Sequence, residues 1–179
     1  MLNNFCVAIS GKSGCGNTTV SRLTAEKLKF KLVNFTFKNL AAELGMKFEE
    51  LCRHAEMDTK YDRIIDKRQV ELASKEDCVL ASRLAIWLMK EAQLKVYLNF
   101  PVEIRAKRIH KRENGSLEKI YSETIKRDNR DRKRYLELYG IDNDKYDFVD
   151  MIIEDEKLDP DQISDMVAEK VREIMVNIR

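Results

Sequence analysis

The chain is poor in the residues that break structure: 179 residues hold only two prolines and six glycines. That scarcity excludes a Pro- or Gly-rich linker and any low-complexity tract, so residues 1–179 read as a single domain of ordinary size. No internal repeat is visible. No apolar run approaches the roughly 18 to 20 residues that a membrane span needs. The opening Met-Leu-Asn-Asn has no basic segment followed by a long apolar stretch, so no secretory leader is expected. Four cysteines, Cys6, Cys15, Cys52 and Cys78, lack Cys-x-x-Cys spacing and are expected to be free thiols in a reducing, cytoplasmic setting. An excess of one charge is missing too, with 33 basic residues against 31 acidic ones and a net charge of +2. A balance this close gives a solvated surface and little long-range field, so a nucleic-acid partner would need a local patch.

What the chain does have is an alternation of short apolar runs with helical patterns. Phe5 to Ser10, Leu32-Val33, Cys78 to Ala81, Leu94 to Leu98 and Met151 to Ile153 read as strands. Thr18 to Leu28 reads as a helix. The stretch from Phe37 to Ser74 reads mostly as helix, broken near Gly45 and Asp58. Pro101 opens a further helix that Asn114-Gly115 ends, and Ser116 is placed to cap the next, which runs to Tyr139. Asp159-Pro160-Asp161-Gln162 is a helix start with a capping box. Strands alternating with helices predict an α/β three-layer fold, a central parallel sheet of about five strands with ligands at their carboxyl ends. Two helical excursions, about 36–75 and 112–140, lie outside the repeating unit.

Directly after the first strand comes Gly11-Lys-Ser-Gly-Cys-Gly-Asn-Thr-Thr19. A phosphate loop reads G-x-x-x-x-G-K-[S/T], because close backbone approach needs glycines and the following helix N-terminus favours anions. Gly11, Gly16 and Thr18 fit those positions, and Gly14 lets amides turn inward as an anion nest. The loop Gly11, Lys12, Ser13, Gly14, Cys15, Gly16, Asn17, Thr18 and Thr19 is therefore the expected nucleotide-phosphate site, with the Thr18 hydroxyl as a Mg²⁺ ligand. Asn17 stands where a lysine normally reaches the β- and γ-phosphates. Lys12 either folds over the phosphates and supplies that cation or is a solvated loop residue.

Between Arg105 and Arg134 twelve basic residues face five acidic ones. Within that span Lys126-Arg-Asp-Asn-Arg-Asp-Arg-Lys-Arg134 places Arg127, Arg130 and Arg134 on one helical face, with Asp131 one turn from Arg127. Such a face is a solvated helix laced with ion pairs or, beside a phosphate loop, a set of cations for phosphoryl transfer. A nucleic-acid contact would call for stacking aromatics, and Tyr121, Tyr135 and Tyr139 fit core packing as well.

The phosphate loop, Lys38-Asn-Leu-Ala, Asp66-Lys-Arg-Gln69, Ser82-Arg-Leu-Ala-Ile-Trp87, the Arg-rich segment and Tyr139-Gly-Ile-Asp142, in that order, resemble the cytidylate kinases. The likeness is greatest to their archaeal-type branch, which also tends to lack the loop lysine, and it covers nearly the whole chain. It implies transfer of the ATP γ-phosphate to CMP or dCMP, with Mg²⁺, by a kinase with an acceptor-binding segment at about 36–75 and a lid at about 112–140; a monomer is expected, with no nucleic-acid or membrane partner. It further implies that Lys38, Arg68 and Arg83 serve the acceptor, that Arg127 and Asp131 touch its sugar, and that Arg134 and Arg130 stabilise the phosphates. Lys12 joins Arg127, Arg130 and Arg134 as the expected catalytic set. Ala81 stands where the family often has an acidic residue near the metal. The alternatives are another small-acceptor kinase such as adenylate or UMP kinase, a nucleotide-binding regulator that has lost catalysis, and an RNA-binding basic helix.

Overall fold

The computed structural model describes residues 4–113 and 115–178. Met1 to Asn3, Asn114 and Arg179 lie outside them, so the readings that rest on the first three residues and on Asn114 do too. Five strands, β1 (Cys6–Gly11), β2 (Lys31–Val33), β3 (Cys78–Ala81), β4 (Leu94–Leu98) and β5 (Met151–Ile153), form one sheet in the order β2-β3-β1-β4-β5. Every pairing is parallel. Among the described residues eight helices connect and follow them: α1 (Asn17–Leu28), α2 (Phe37–Leu44), α3 (Phe48–Met57), α4 (Lys60–Ala73), α5 (Ala85–Leu88), α6 (Val102–Glu113), α7 (Leu117–Tyr139) and α8 (Pro160–Ile178).

Side chains alternate across the sheet, and each face packs on helices. Val7, Ile9, Val79, Val96 and Leu98 meet Val20 and Ala25 of α1 and Ile163, Val167 and Val171 of α8. Cys6, Ala8, Leu80 and Tyr97 point the other way, onto Ala73 of α4 and Ala85 and Ile86 of α5. The inner strands β1, β3 and β4 are covered on both faces, which is why they read as continuous runs, whereas the edge strands β2 and β5 are only part-buried. Cys6, Cys15, Cys52 and Cys78 are free thiols. None of the described helices is long and apolar enough to cross a membrane.

The capping box at α8 forms as read, with the Gln162 and Asp161 amides donating to Asp159 Oδ1 at 2.8 and 2.9 Å and the Asp159 amide donating to Gln162 Oε1 at 3.0 Å. Ser116 occupies the N-cap of α7, but its side chain makes no capping bond. The helices between β2 and β3 build a satellite core from Phe35, Leu40, Ala41, Leu51 and Ile65. In the order β2-β3-β1-β4-β5 the β1–β2 connection runs to one side of β1 and the β3–β4 connection carries the chain to its other side, so a crevice opens at the carboxyl end of β1.

Candidate active site

The loop between β1 and α1 is shaped by what its glycines avoid. A Cβ on Gly11 would lie 2.6 Å from Cys15 Sγ and 2.7 Å from the Leu98 carbonyl oxygen. Gly14 has φ +84°, and a Cβ there would meet the Arg105 carbonyl oxygen at 2.8 Å. Helix α1 follows with Gly16 at its N-cap, no side-chain cap and no acidic residue in its first turn. Its first amides and the positive end of its dipole are thus left for an anion.

Asn17 turns away from that anion site. Its Nδ2 donates to the carbonyl oxygens of Ile9 (2.9 Å) and Ser82 (3.3 Å), and its Oδ1 accepts from Ser21 Oγ at 2.9 Å. The side chain therefore ties the ends of β1 and β3 together beneath the loop, and only its backbone remains for a phosphate. Lys12 lines the cavity, yet its ammonium pairs with Asp144 at 2.6 Å rather than standing over the loop. Cys15 is buried, and burial pushes its thiol up to about 11, so it carries no thiolate at neutral pH.

Arginines gather over the loop. A cavity of about 1010 Å³ lies over the loop, and Arg83, Arg108, Arg127, Arg130 and Arg134 line it. Arg127 donates to Ser13 Oγ at 3.1 Å, so α7 already touches the phosphate loop. Arg108 donates to the Cys15 carbonyl oxygen at 3.0 Å and stacks over Phe100, 4.2 Å from the ring centre. Arg105, only 4% exposed, holds the frame: it donates to the carbonyl oxygens of Phe100 and Ser13, both at 2.9 Å, and pairs with Asp128 of α7 at 2.6 Å. Sequence reasoning passes over Arg105 and Arg108. The available signal is that Arg105 shares the buried face of α6 with Ala106 and Ile109.

Further along α7, Arg83 donates to Asp131 Oδ2 at 2.6 Å. Burial raises the Asp131 carboxyl above its ordinary value, against the pull of Arg83, Arg130 and Arg127. Arg134 is held by both oxygens of Asp62 and by the Ala55 carbonyl oxygen. Tyr139 Oη donates to Asp66 Oδ2 at 2.7 Å, and burial pushes Asp66 up to about 6. Helix α7 thus runs from the phosphate loop at Arg127 to α4 at Tyr139. This order separates the two ends of the arginine face. It puts Arg127 at the loop and Arg134 at the far end, because Asp62 and Ala55 hold the latter there.

Two expected acceptor residues lie away from the cavity. Lys38 is exposed and sits over the Phe48 ring at 5.7 Å, because α2 buries Leu40 and Ala41 instead. Arg68 pairs with Glu43 at 3.2 Å on the outer side of α4, whose buried face carries Ile65, Gln69 and Ala73. Thr18 is exposed at the loop, a hard oxygen donor of the kind Mg²⁺ takes. No cluster of three or more His, Cys, Asp or Glu able to hold a metal exists among the described residues. A cation here would therefore draw most of its ligands from phosphates and water.

The sequence profile of the cytidylate kinase-like family matches residues 6–157. Cytidylate kinase 2 of Borreliella afzelii is 40% identical over 169 residues, covering 92% of this chain and 95% of its own. Cytidylate kinase of Pyrococcus horikoshii is 39% identical over 163 residues, covering 90% and 85%. Among solved structures, shikimate kinase from Bacteroides thetaiotaomicron aligns at TM-score 0.61 and 13% identity over 96% of this chain and 98% of its own. Deoxyadenosine kinase from M. mycoides aligns at TM-score 0.57 and 17% identity, covering 94% and 100%. At those identities the structural likeness speaks for the fold alone, a P-loop kinase fold.

Proposed function

The chain belongs to the cytidylate kinase-like family, and from that premise we propose that it transfers the γ-phosphate of ATP to CMP or dCMP, giving CDP or dCDP in pyrimidine nucleotide metabolism. The observation that carries this reading is the shared cavity. An uncapped phosphate loop forms one wall, and the arginine face of α7 forms the other, with Arg127 on Ser13 bridging them.

The loop amides and the N-terminus of α1 hold the β- and γ-phosphates, and the Thr18 hydroxyl would be a ligand to Mg²⁺, which would offset phosphate charge when bound. Arg83 and Arg130 draw in the acceptor phosphate, while Asp131 fixes Arg83 and accepts from the sugar. An acceptor phosphate oxygen then attacks the γ-phosphorus as the bond to the β-phosphate oxygen breaks. The acceptor is already ionised, so no strong base is required. Arg127, next to the loop, offsets charge on the transferred group in place of the absent lysine. Segments 36–75 and 112–140 act as acceptor-binding region and lid, and closure excludes water that would otherwise hydrolyse ATP.

Coupled ADP release measured across CMP, dCMP, UMP, AMP and shikimate tests the assignment. The highest kcat/KM is expected with CMP or dCMP, and highest turnover on a non-pyrimidine acceptor contradicts it. The inward Asn17 and the paired Lys12 favour one other reading, a nucleotide-binding regulator without turnover. ATP binding with no transfer to any monophosphate would establish that instead.

A further inference from the structure

Resting on the cytidylate assignment, one wall of the cavity remains without a role. Asp62, Ile65, Asp66 and Gln69 of α4 all line it, at the i, i+3, i+4 and i+7 spacing of a single helix face. Gln69 is 6% exposed, and its Nε2 donates to the Phe35 carbonyl oxygen at 2.6 Å, which fixes the amide's orientation. Its Oε1 has no hydrogen-bond partner. One turn away, Tyr139 occupies Oδ2 of Asp66 and leaves Oδ1 as a second acceptor. Asp62 is spent on Arg134. The wall therefore offers two acceptors without a donor between them, and a buried acceptor left unmade is costly.

We propose that Asp66 and Gln69 recognise the 4-amino group of the acceptor pyrimidine, making α4 the element that selects an amino-bearing base over uracil. A primary amine brings two N–H donors, one for each oxygen, whereas O4 of uracil would face two acceptors and pair with neither. The position fits a nucleotide laid along α7. From Arg127 to Tyr139 the helix rises about 18 Å, so an acceptor whose phosphate lies among the arginines nearest the loop reaches α4 with its base. Phe35 and Phe37 line the same part of the cavity and give the ring an apolar surface. No part of this reading uses Lys38 or Arg68, which lie outside.

The test compares kcat/KM for CMP, UMP and the monophosphate of 2-pyrimidinone riboside, which is CMP without its amino group. It uses wild type, Asp66→Asn and Gln69→Met, with thermal melts and ATP affinity as controls. Wild type is expected to prefer CMP to the des-amino analogue by about 10- to 100-fold, a comparison that needs no variant to fold. Asp66→Asn replaces an acceptor by a group that can donate, so the CMP-to-UMP ratio should fall about tenfold or more through loss of CMP and gain of UMP. Gln69→Met should lose CMP without gaining UMP. The proposal is overturned if wild type uses the des-amino analogue as well as CMP, or if folded, ATP-binding variants keep the wild-type ratio. Wild type that turns over no pyrimidine monophosphate overturns the cytidylate assignment and this one with it. Turnover of CMP without amine selectivity overturns this one alone.

Discussion

At the scale of single residues, Asn17 has the most to explain. Its side chain makes three hydrogen bonds beneath the loop, to Ile9, Ser82 and Ser21, so it acts as a strut. Lys12 has one partner, Asp144, in a half-exposed pair, and exposed pairs contribute at most about 1 kcal/mol. Asn17→Ala should therefore cost about 1–3 kcal/mol, a fall of several degrees in Tm at about 2–4 °C per kcal/mol, while Lys12→Ala should scarcely move it. Transfer should also suffer more from Asn17→Ala, because the strut holds the amides to which the proposed function assigns the phosphates. The two variants, followed by thermal denaturation and steady-state kinetics, check this order. Spacing alone made the missing lysine legible. What replaces it was not, because Asn17 is judged by partners in β1 and β3, and the end of β3 lies 65 residues away.

At the scale of elements, the site depends on where α7 meets its neighbours. Its arginine face was legible, since the periodicity of Arg127, Arg130 and Arg134 needs only a helix. Its direction across the site was not. That is set by Arg105–Asp128 at one end, and by Arg134–Asp62 and Tyr139–Asp66 at the other, all pairs between separate helices. The far end has a pH signature. Burial raises Asp66 from 3.8 to about 6; Tyr139 and Arg134 act against burial, and Asp62 acts with it. The folded state therefore keeps this proton longer than the unfolded chain does, so its contribution is full below about pH 4 and is lost as pH rises to about 6. By about 1.4 kcal/mol per pKa unit, the buried charge above pH 6 costs up to about 3 kcal/mol. Asp66→Asn can still accept from Tyr139. It should be more stable than wild type at pH 7.5 by about 1–3 kcal/mol and flatten that slope, as denaturant unfolding from pH 4 to 8 would show. Equal slopes would contradict the assignment of the shift to Asp66.

At the scale of the whole molecule, all five strands were legible as apolar runs: β1 and β3 are buried throughout and β4 nearly so, while the edge strands β2 and β5 are short and only part-buried. Their order, β2-β3-β1-β4-β5, was not, since adjacent strands such as β1 and β3 are far apart in sequence. Yet that order creates the crevice at the end of β1 and brings Ser82-Arg83, from the end of β3, beside the loop. Lys38 and Arg68 show the limit of carrying residues over by sequence position. Both stand where the likeness expects them, and the faces of α2 and α4 that bury their neighbours turn these two outward. In the proposed reaction, arginines of α7 supply the charge the phosphate loop lacks. The most direct measurement is kcat for CMP phosphorylation by Arg127→Ala beside its ATP affinity by calorimetry. A kcat lower by about a hundred-fold or more, with ATP still bound, is the result this account predicts. An unchanged kcat would contradict it.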